Sequence, residues 1–286
     1  MLNPTTLYHL VEKKKFLYKM ISIVSVYNNK KILNDYLLKS LKSQSVDYEL
    51  ITLDNTKGRF KSAAEALNYG REKAKGEYIM FVHQDVDLCS NIWLEKAEKM
   101  LDDLPNLGIA GVAGMSERGK NTKERGKNII KHGIPAVTWP WGNPIQEPAL
   151  VQTLDECLII IPQSVFDVLK FDEQVCDDWH LYAVDYCLCA IKMGLGAYAI
   201  PLSIYHRATG SLHRKDYFRI FLEGPLPAGY YRTLKKLLKK HKTYFKHIYT
   251  TTGNWNTLYP LTLQKYWSLA KLGVGRMALK MGLFKI

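Results

Sequence analysis

Two aspartates one residue apart, Asp85 and Asp87, close an apolar run, Tyr78-Ile79-Met80-Phe81-Val82, that follows Gly76. The run has the length and the aromatic and aliphatic content of a buried strand. Carboxylates at the C-terminal end of such a strand stand where open α/β sheets bind their ligands. Two hard oxygen donors there suit Mg²⁺ or Mn²⁺ bridging to a diphosphate. With 14 aspartates in 286 residues, chance alone supplies about 0.7 Asp-x-Asp patterns. The position after a strand, not the pattern, carries the reading. His83 and Gln84, just ahead of the pair, read either as strand-end packing or as part of the same site.

Other side chains could join them. Asp54 ends a second apolar run and could accept hydrogen bonds from a base or ribose, or cap a turn with Asn55. Asp155 and Glu156 precede the very apolar Cys157-Leu158-Ile159-Ile160-Ile161, where burial could raise a carboxyl toward general-base use or the pair could simply cap a strand. The segment Asp177 to Asp185 is dense in ionisable and aromatic groups, with Asp178 or Asp185 able to serve as a helix N-cap or in a site. His206 follows a short strand and is a candidate third metal ligand. Trp139 and Trp141 could stack on sugar rings or anchor their loop to the core. Phosphate-cradling loops are missing: there is no G-x-G-x-x-G after the first strand and no G-x-x-x-x-G-K-[ST] motif, which disfavours dinucleotide oxidoreduction and P-loop chemistry.

These residues need elements to position them. Ile21–Val26 and Tyr48–Leu53 read as strands ending in the polar groups Tyr27-Asn28-Asn29 and Asp54-Asn55-Thr56. Residues 31–43 carry apolar side chains at helical spacing, and Ser62 to Lys75 reads as a helix with Gly76 at its C-cap. Strand-helix-strand-helix-strand implies right-handed crossovers, a largely parallel sheet and one shared edge for the polar strand ends. Further on, residues 92–103 read as helix, 109–113 as strand, 154–162 as strand, 184–193 as helix and 197–200 as strand. From Met115 to about Pro148 the pattern dissolves into Gly, Lys, Asn and Pro, the composition of a long functional or mobile loop.

Composition bounds the rest. An apolar content of 47% with 23% charged residues describes an ordinary folded protein, long enough for one large domain or two smaller ones. No apolar stretch approaches ~18 residues, so no membrane-spanning helix is expected, and the N-terminus lacks the h-region of a secretion signal. Five cysteines without C-x-x-C spacing support neither a zinc site nor a disulfide framework and fit a reducing cytoplasm. The net charge of +13 lies in the last 75 residues, which hold 15 Lys/Arg against Asp216 and Glu223 alone. Within them Tyr230 to His247 sets Leu234, Leu237, Leu238, Tyr244 and Phe245 against a lysine-rich face, so a separate, anionic partner is expected.

The pieces SIVSVYNN, LDNT, AEALNYGREKAKGEYIMFVHQDVD, TLDECLIIIP, FDEQVCDDWHLYAVDYCLCA and YHRATGS, in this order between Ile21 and Ser211, resemble a GT-A glycosyltransferase of family 2 and its glycosyltransferase-like relatives with an H-Q-D-V strand end. The resemblance implies an α/β, Rossmann-like fold: a mainly parallel mixed sheet flanked by helices over 21–211. An extension would precede it at 1–20 and a basic helical tail follow at 212–286. It implies that Val26, Tyr27 and Asp54 hold the base and ribose, with His83, Gln84 and Asp85 beside the donor. Asp85 and Asp87 would bind Mn²⁺ or Mg²⁺ and the diphosphate, and His206 would complete the metal site. The usual acidic pair at a helix start reads Tyr182-Ala183 here, so the base falls to Asp185 first, with Asp178 and Asp155 behind it.

The expected activity is inverting transfer of a sugar from a nucleoside-diphosphate donor, a UDP-sugar first, to a hydroxyl of a surface-glycan or lipid-linked acceptor. The expected setting is the cytoplasm, with the tail on the anionic inner face of the membrane. A sugar nucleotidyltransferase is the alternative within the same fold space, although Tyr27-Asn28-Asn29-Lys30 is not the Gly-rich basic loop it would want. A non-catalytic basic module binding nucleic acid or an anionic surface would leave the ordered acids unexplained; nucleic acid is not an expected partner. A degenerate transferase that binds donor without turnover is the remaining alternative.

Overall fold

The computed structural model describes residues 20–128, 130–134, 137–207 and 226–265. Residues 1–19 of the expected extension, 208–211 of the expected α/β domain and 212–225 and 266–286 of the expected tail lie outside the described residues, as does the Trp139 side chain.

Strand β1 (Ile21–Tyr27) pairs in parallel with β2 (Tyr48–Asp54) and β3 (Tyr78–Val82). The connections are a helix, α1, that runs from Lys30–Leu33 through a π turn at Asn34–Leu38 into Lys39–Leu41, and α2 (Ala63–Arg71). After β3 come β4 (Val86–Asp87), α3 (Trp93–Asp102) and β5 (Leu107–Gly111). Four short strands follow, β6 (Gly114–Met115), β7 (Gly126–Lys127), β8 (Ile130–Ile134) and β9 (Val137–Trp141), then β10 (Ala149–Leu150), β11 (Thr153–Leu154) and β12 (Leu158–Pro162). The chain continues through α4 (Gln163–Val168), α5 (Tyr182–Lys192), β13 (Gly196–Ala199) and β14 (Tyr205–His206). Beyond the undescribed segment lie α6 (Ala228–His241) and the hairpin β15 (His247–Thr250) and β16 (Gly253–Asn256).

The central sheet has seven strands in the order β10-β13-β5-β12-β3-β1-β2, with β12 and β10 running against the others. It is the mainly parallel mixed sheet expected from the sequence. Alternation along β3 shows why this strand is apolar throughout: Tyr78, Met80 and Val82 enter a core with α1 and α3, while Ile79 and Phe81 enter a second core with α2, α4 and α5. Both faces are covered, so neither set of side chains can be polar. Each such buried side chain contributes about 1.5–3 kcal/mol. A third cluster joins Leu181, Val184 and Leu188 at α5 to Tyr230, Leu234, Leu237 and Leu238 of α6 and to Ile248 and Trp255 of the hairpin.

Three local expectations are corrected. Helix α2 stops at Arg71 with Glu72 as C-cap, so Gly76 is no cap. Its role is close approach, because a Cβ there would run into the backbone of Met20 and Ser22. The stretch 115–148 is no simple loop: β6 pairs with β7 on one side and β11 on the other, and β8–β9 form a hairpin whose β8 joins β14. The amphipathic tail helix ends at His241, leaving Phe245 buried but Tyr244 exposed.

Phe166 is wholly buried between Phe81, Phe171 and Tyr186, with ring centroids 5.2–5.9 Å apart within this cluster. Phe166→Ala should cost about 3–5 kcal/mol, measured as a fall in the urea midpoint; a loss below ~1 kcal/mol would show that this cluster does not carry the second core.

Candidate functional site

The ends of β1 and β3 open into a cavity of about 380 Å³, lined among others by Val26, Tyr27, Asn55, His83, Gln84 and Asp85. Gln84 ties the two strand ends together. Its Oε1 accepts from the backbone N–H groups of Asn28 and Asn29 at 3.2 and 3.0 Å, and its Nε2 donates to Asn28 Oδ1 at 2.7 Å. Asp54 stands at the neighbouring strand end, accepting from the Tyr27 hydroxyl at 3.0 Å and from the hydroxyl and N–H of Thr56 at 2.7 and 2.8 Å. The Thr56 bonds chiefly hold its carboxyl below the usual carboxylate range.

His83, Asp85 and His206 form a cluster whose ligand atoms all lie within 4.8 Å of one another. His206 Nε2 is 3.4 Å from Asp85 Oδ1 and 3.5 Å from His83 Nδ1. Two sets of pairings put it there: His206 lies opposite Val86 across β14–β4 and opposite His132 across β14–β8, and the Arg207 N–H donates to the Asp85 carbonyl at 2.9 Å. Burial works against charge on His206, but the Asp85 hydrogen bond and charge outweigh it and raise its pKa. Burial, then His206, pushes His83 down. For Asp85 burial opposes ionisation, and the His206 bond overcomes it. Two imidazoles and a carboxylate are a donor set for a first-row transition ion more than for Mg²⁺. His206 Nδ1 is buried without a partner among the described residues.

Asp87 does not join this cluster. A turn closed by Val86 N–H to His83 O at 3.3 Å interrupts the alternation, and Asp87 Oδ1 instead accepts the Cys89 N–H at 2.7 Å. It lines a separate depression with Lys39, Ser43 and Cys89. Of the expected metal set, Asp85 and His206 lie together with His83, and Asp87 lies apart from them.

The three carboxylates expected to act on an acceptor are all engaged. Asp185 is buried, with Oδ1 at 2.7 Å from His241 Nε2 and Oδ2 at 2.7 Å from Lys240 Nζ. Its place on the first turn of α5 docks α6 and does not face the crevice. Asp178 Oδ2 accepts from Arg232 at 2.7 Å, and Gly229 is required there because a Cβ would strike the same carboxylate. Asp155 lies closer to the cluster, with Oδ1 taking the Cys157 N–H at 3.1 Å and Oδ2 the Thr251 hydroxyl at 3.0 Å. Burial opposes its charge, but His206 holds its pKa low.

Residues the sequence did not single out also reach the site. His132, from the 115–148 stretch, brings its ring within 5.3 Å of His206. Trp179 and Tyr182 line the cavity, and the Tyr182 hydroxyl lies 3.2 Å from His83 Nε2 while donating to the Glu156 carbonyl at 3.1 Å. No local pattern marks His132, because its strand contains glycine and lysine and meets His206 only through the distant β14.

With this geometry in place, comparison with known proteins is informative. The model of a glycosyltransferase-like family matches residues 22–203. A Fuscovulum blasticum protein described as ATP synthase subunits region ORF 6 is 28% identical over 161 residues, 55% of this chain and 62% of its own length. Similar solved structures include GalNAc-T7 with UDP, GalNAc and Mn²⁺, at 14% identity and TM-score 0.48 over 79% of this chain and 55% of that one. The mannosyltransferase PcManGT from Pyrobaculum calidifontis with GDP-Man and Mn²⁺ is 12% identical, with TM-score 0.48 over 85% and 71%. TarS 1–349 from S. aureus is 15% identical, with TM-score 0.45 over 79% and 73%.

The docking role of Asp185 is testable apart from any chemistry. Asp185→Asn should destabilise the protein by about 3 kcal/mol, because it breaks a buried ion pair and leaves its partners in place. The check is urea unfolding beside Mn²⁺ titration, with the metal affinity expected to be unchanged.

Proposed function

The chain belongs to the glycosyltransferase-like family, and on that premise we propose that the crevice binds a nucleoside-diphosphate sugar, a UDP-sugar first. The observation that carries the reading is the His83–Asp85–His206 cluster at the mouth of the cavity where β1 and β3 end. Val26, Tyr27 and Asn55, which line the cavity, would take the base, and Asp54, bonded to the Tyr27 hydroxyl, the ribose. His83, Asp85 and His206 would hold a divalent ion, Mn²⁺ in preference to Mg²⁺ given the two imidazoles. When bound, that ion supplies charge neutralisation to the departing nucleoside diphosphate. Gln84 keeps the two strand ends at a fixed separation, so the groups on either side of the donor are positioned before it arrives.

The reaction proposed is transfer to an acceptor hydroxyl with inversion at the anomeric carbon. The acceptor proposed is a surface or lipid-linked glycan met at the inner face of a membrane. Arg232, Lys236 and Lys240 of the tail are taken up by Asp177, Asp178, Asp172 and Asp185. Lys235, Lys239, Lys242 and Lys246 remain exposed, the first two one turn apart on α6 and the others just beyond its end. Each such cation near an anionic surface contributes on the order of 1 kcal/mol. Among the described residues no helix is long and apolar enough to cross a membrane.

Two experiments test these readings. Calorimetric titration of UDP with Mn²⁺ should show binding that Asp85→Asn weakens by ~10²-fold or more, beyond what loss of a merely supporting contact costs. Asp87→Asn should bind as wild type does; the opposite ranking would return the metal to the Asp-x-Asp pair. For the tail, the triple variant Lys235→Glu, Lys239→Glu, Lys242→Glu should no longer pellet with phosphatidylglycerol vesicles, and pelleting equal to wild type would remove the membrane reading.

A further inference from the structure

Beside the donor crevice lies a second compartment of about 130 Å³, room for several water molecules; Tyr182, which lines the crevice, donates its hydroxyl to the carbonyl of Glu156, which lines the compartment. Residues from two parts of the chain close it: Glu156, His180 and Leu181 from the region matched by the family, and Tyr230, Thr251 and Thr252 from the C-terminal region outside it. We propose that this compartment receives the acceptor hydroxyl and that Glu156 takes its proton. The proposal rests on the transferase reading above.

Geometry selects Glu156 by what each carboxylate already does. Asp155, Asp178 and Asp185 spend their oxygens on Cys157 and Thr251, on Arg232, and on Lys240 and His241. Glu156 Oε1 is shielded from solvent yet has no hydrogen-bond partner among the described residues. An unpaired oxygen in that position is costly unless something that visits the compartment pairs with it. Its surroundings are built to hold the carboxyl in place. Leu181 adopts the left-handed conformation, φ 68° and ψ 10°, at the start of α5, a conformation a leucine takes only under constraint. The backbone N–H groups of Leu181, Tyr182 and Ala183 at this helix start favour the charged form of the Glu156 carboxyl. The helix start that carries Ala183 where an acid would be expected thus has its carboxylate delivered from the strand opposite.

Electrostatics agree with that role. Burial first, and then the charge of Asp155, push the Glu156 carboxyl up to about 8, against the lowering effect of the three N–H groups. The other titratable groups around it are His180, kept neutral by burial, and Tyr182, Tyr230 and Cys176, all raised by burial and hence uncharged. A carboxyl poised there gives up its own proton near working pH and can then accept another. In the step, the acceptor O–H proton passes to the Glu156 carboxylate, and the oxygen's electron pair forms the new bond to the anomeric carbon. The bond from that carbon to the diphosphate oxygen breaks, and its electrons leave with the nucleoside diphosphate.

The test uses the full chain with Mn²⁺, a panel of UDP- and GDP-sugars and water as acceptor, following nucleoside diphosphate release between pH 5.5 and 9.5. Glu156→Gln should lower kcat by ~10²-fold or more, abolish the rise in rate through about pH 8, and leave the UDP dissociation constant unchanged. Release by Glu156→Gln at the wild-type rate, with the same pH profile, would overturn the proposal while leaving the donor site intact. Failure of the wild type to bind any nucleotide with Mn²⁺ would overturn the donor reading itself and this proposal with it. If turnover with water is too slow to follow, the infrared difference between wild type and Glu156→Gln decides. A carboxyl protonated at pH 6 and ionised at pH 9.5 supports the role, and one already ionised at pH 6 removes it.

Discussion

Everything at the candidate site depends on the burial of β3 on both faces. Five consecutive side chains, Tyr78 to Val82, lie in two separate cores, and no charged group could be placed among them without a partner. The first polar side chains the strand can present are therefore at its end, His83, Gln84 and Asp85. Two of these enter the metal-type cluster and the third clamps β1. The same constraint acts on β12, which runs against β3, so that its start lies beside the end of β3. The turn before β12 carries Asp155 and Glu156, and antiparallel pairing brings them to the edge where His83 emerges; the His83 N–H donates to the Cys157 carbonyl at 3.0 Å. One parallel and one antiparallel pairing of buried strands thus gather the chain's chemistry at a single edge.

The second organising feature is how the C-terminal region attaches. Its helix α6 contributes Leu234, Leu237 and Leu238 to the third cluster and directs Arg232, Lys236 and Lys240 at acids between Asp172 and Asp185. The apolar contact supplies most of the attraction, since partly exposed ion pairs contribute little. The charges set the register: Asp185, buried with His241 and Lys240, admits one seating of the helix. That seating places Thr251 against Asp155 and closes the compartment around Glu156. The basic tail is therefore both a surface and a wall of the site.

The sequence disclosed the parts governed by local pattern. β1, β2 and β3, their helices and their common edge follow from apolar runs and helical spacing, and with them Val26, Tyr27, His83, Gln84 and Asp85 come to one cavity. What it did not disclose depends on partners distant in the chain. His132 reaches His206 only because β14 pairs with β8 more than 70 residues away, in a stretch whose glycines and lysines hide its strands. Asp87 carried the spacing of a metal ligand, but the turn at His83–Val86 removes it from the cluster, and spacing cannot reveal a turn. Asp185 and Asp178 had the right residue type in a helix start; the cations that occupy them come from a helix some 50 residues later.

Ala183 shows the same principle from the other side. A helix N-terminus favours a nearby anion whichever segment supplies it, because the unpaired N–H groups and the helix dipole act on position, not on sequence. An acid on the helix itself is one solution. Here Leu181, twisted into the left-handed region, opens the first turn toward the β11–β12 connection, and Glu156 occupies the place from there. Asp185 is then released from any need to face the crevice and can bind α6. The carboxylate beside the helix start and the acid that anchors the tail thus sit on different elements, Glu156 on the β11–β12 connection and Asp185 on α5.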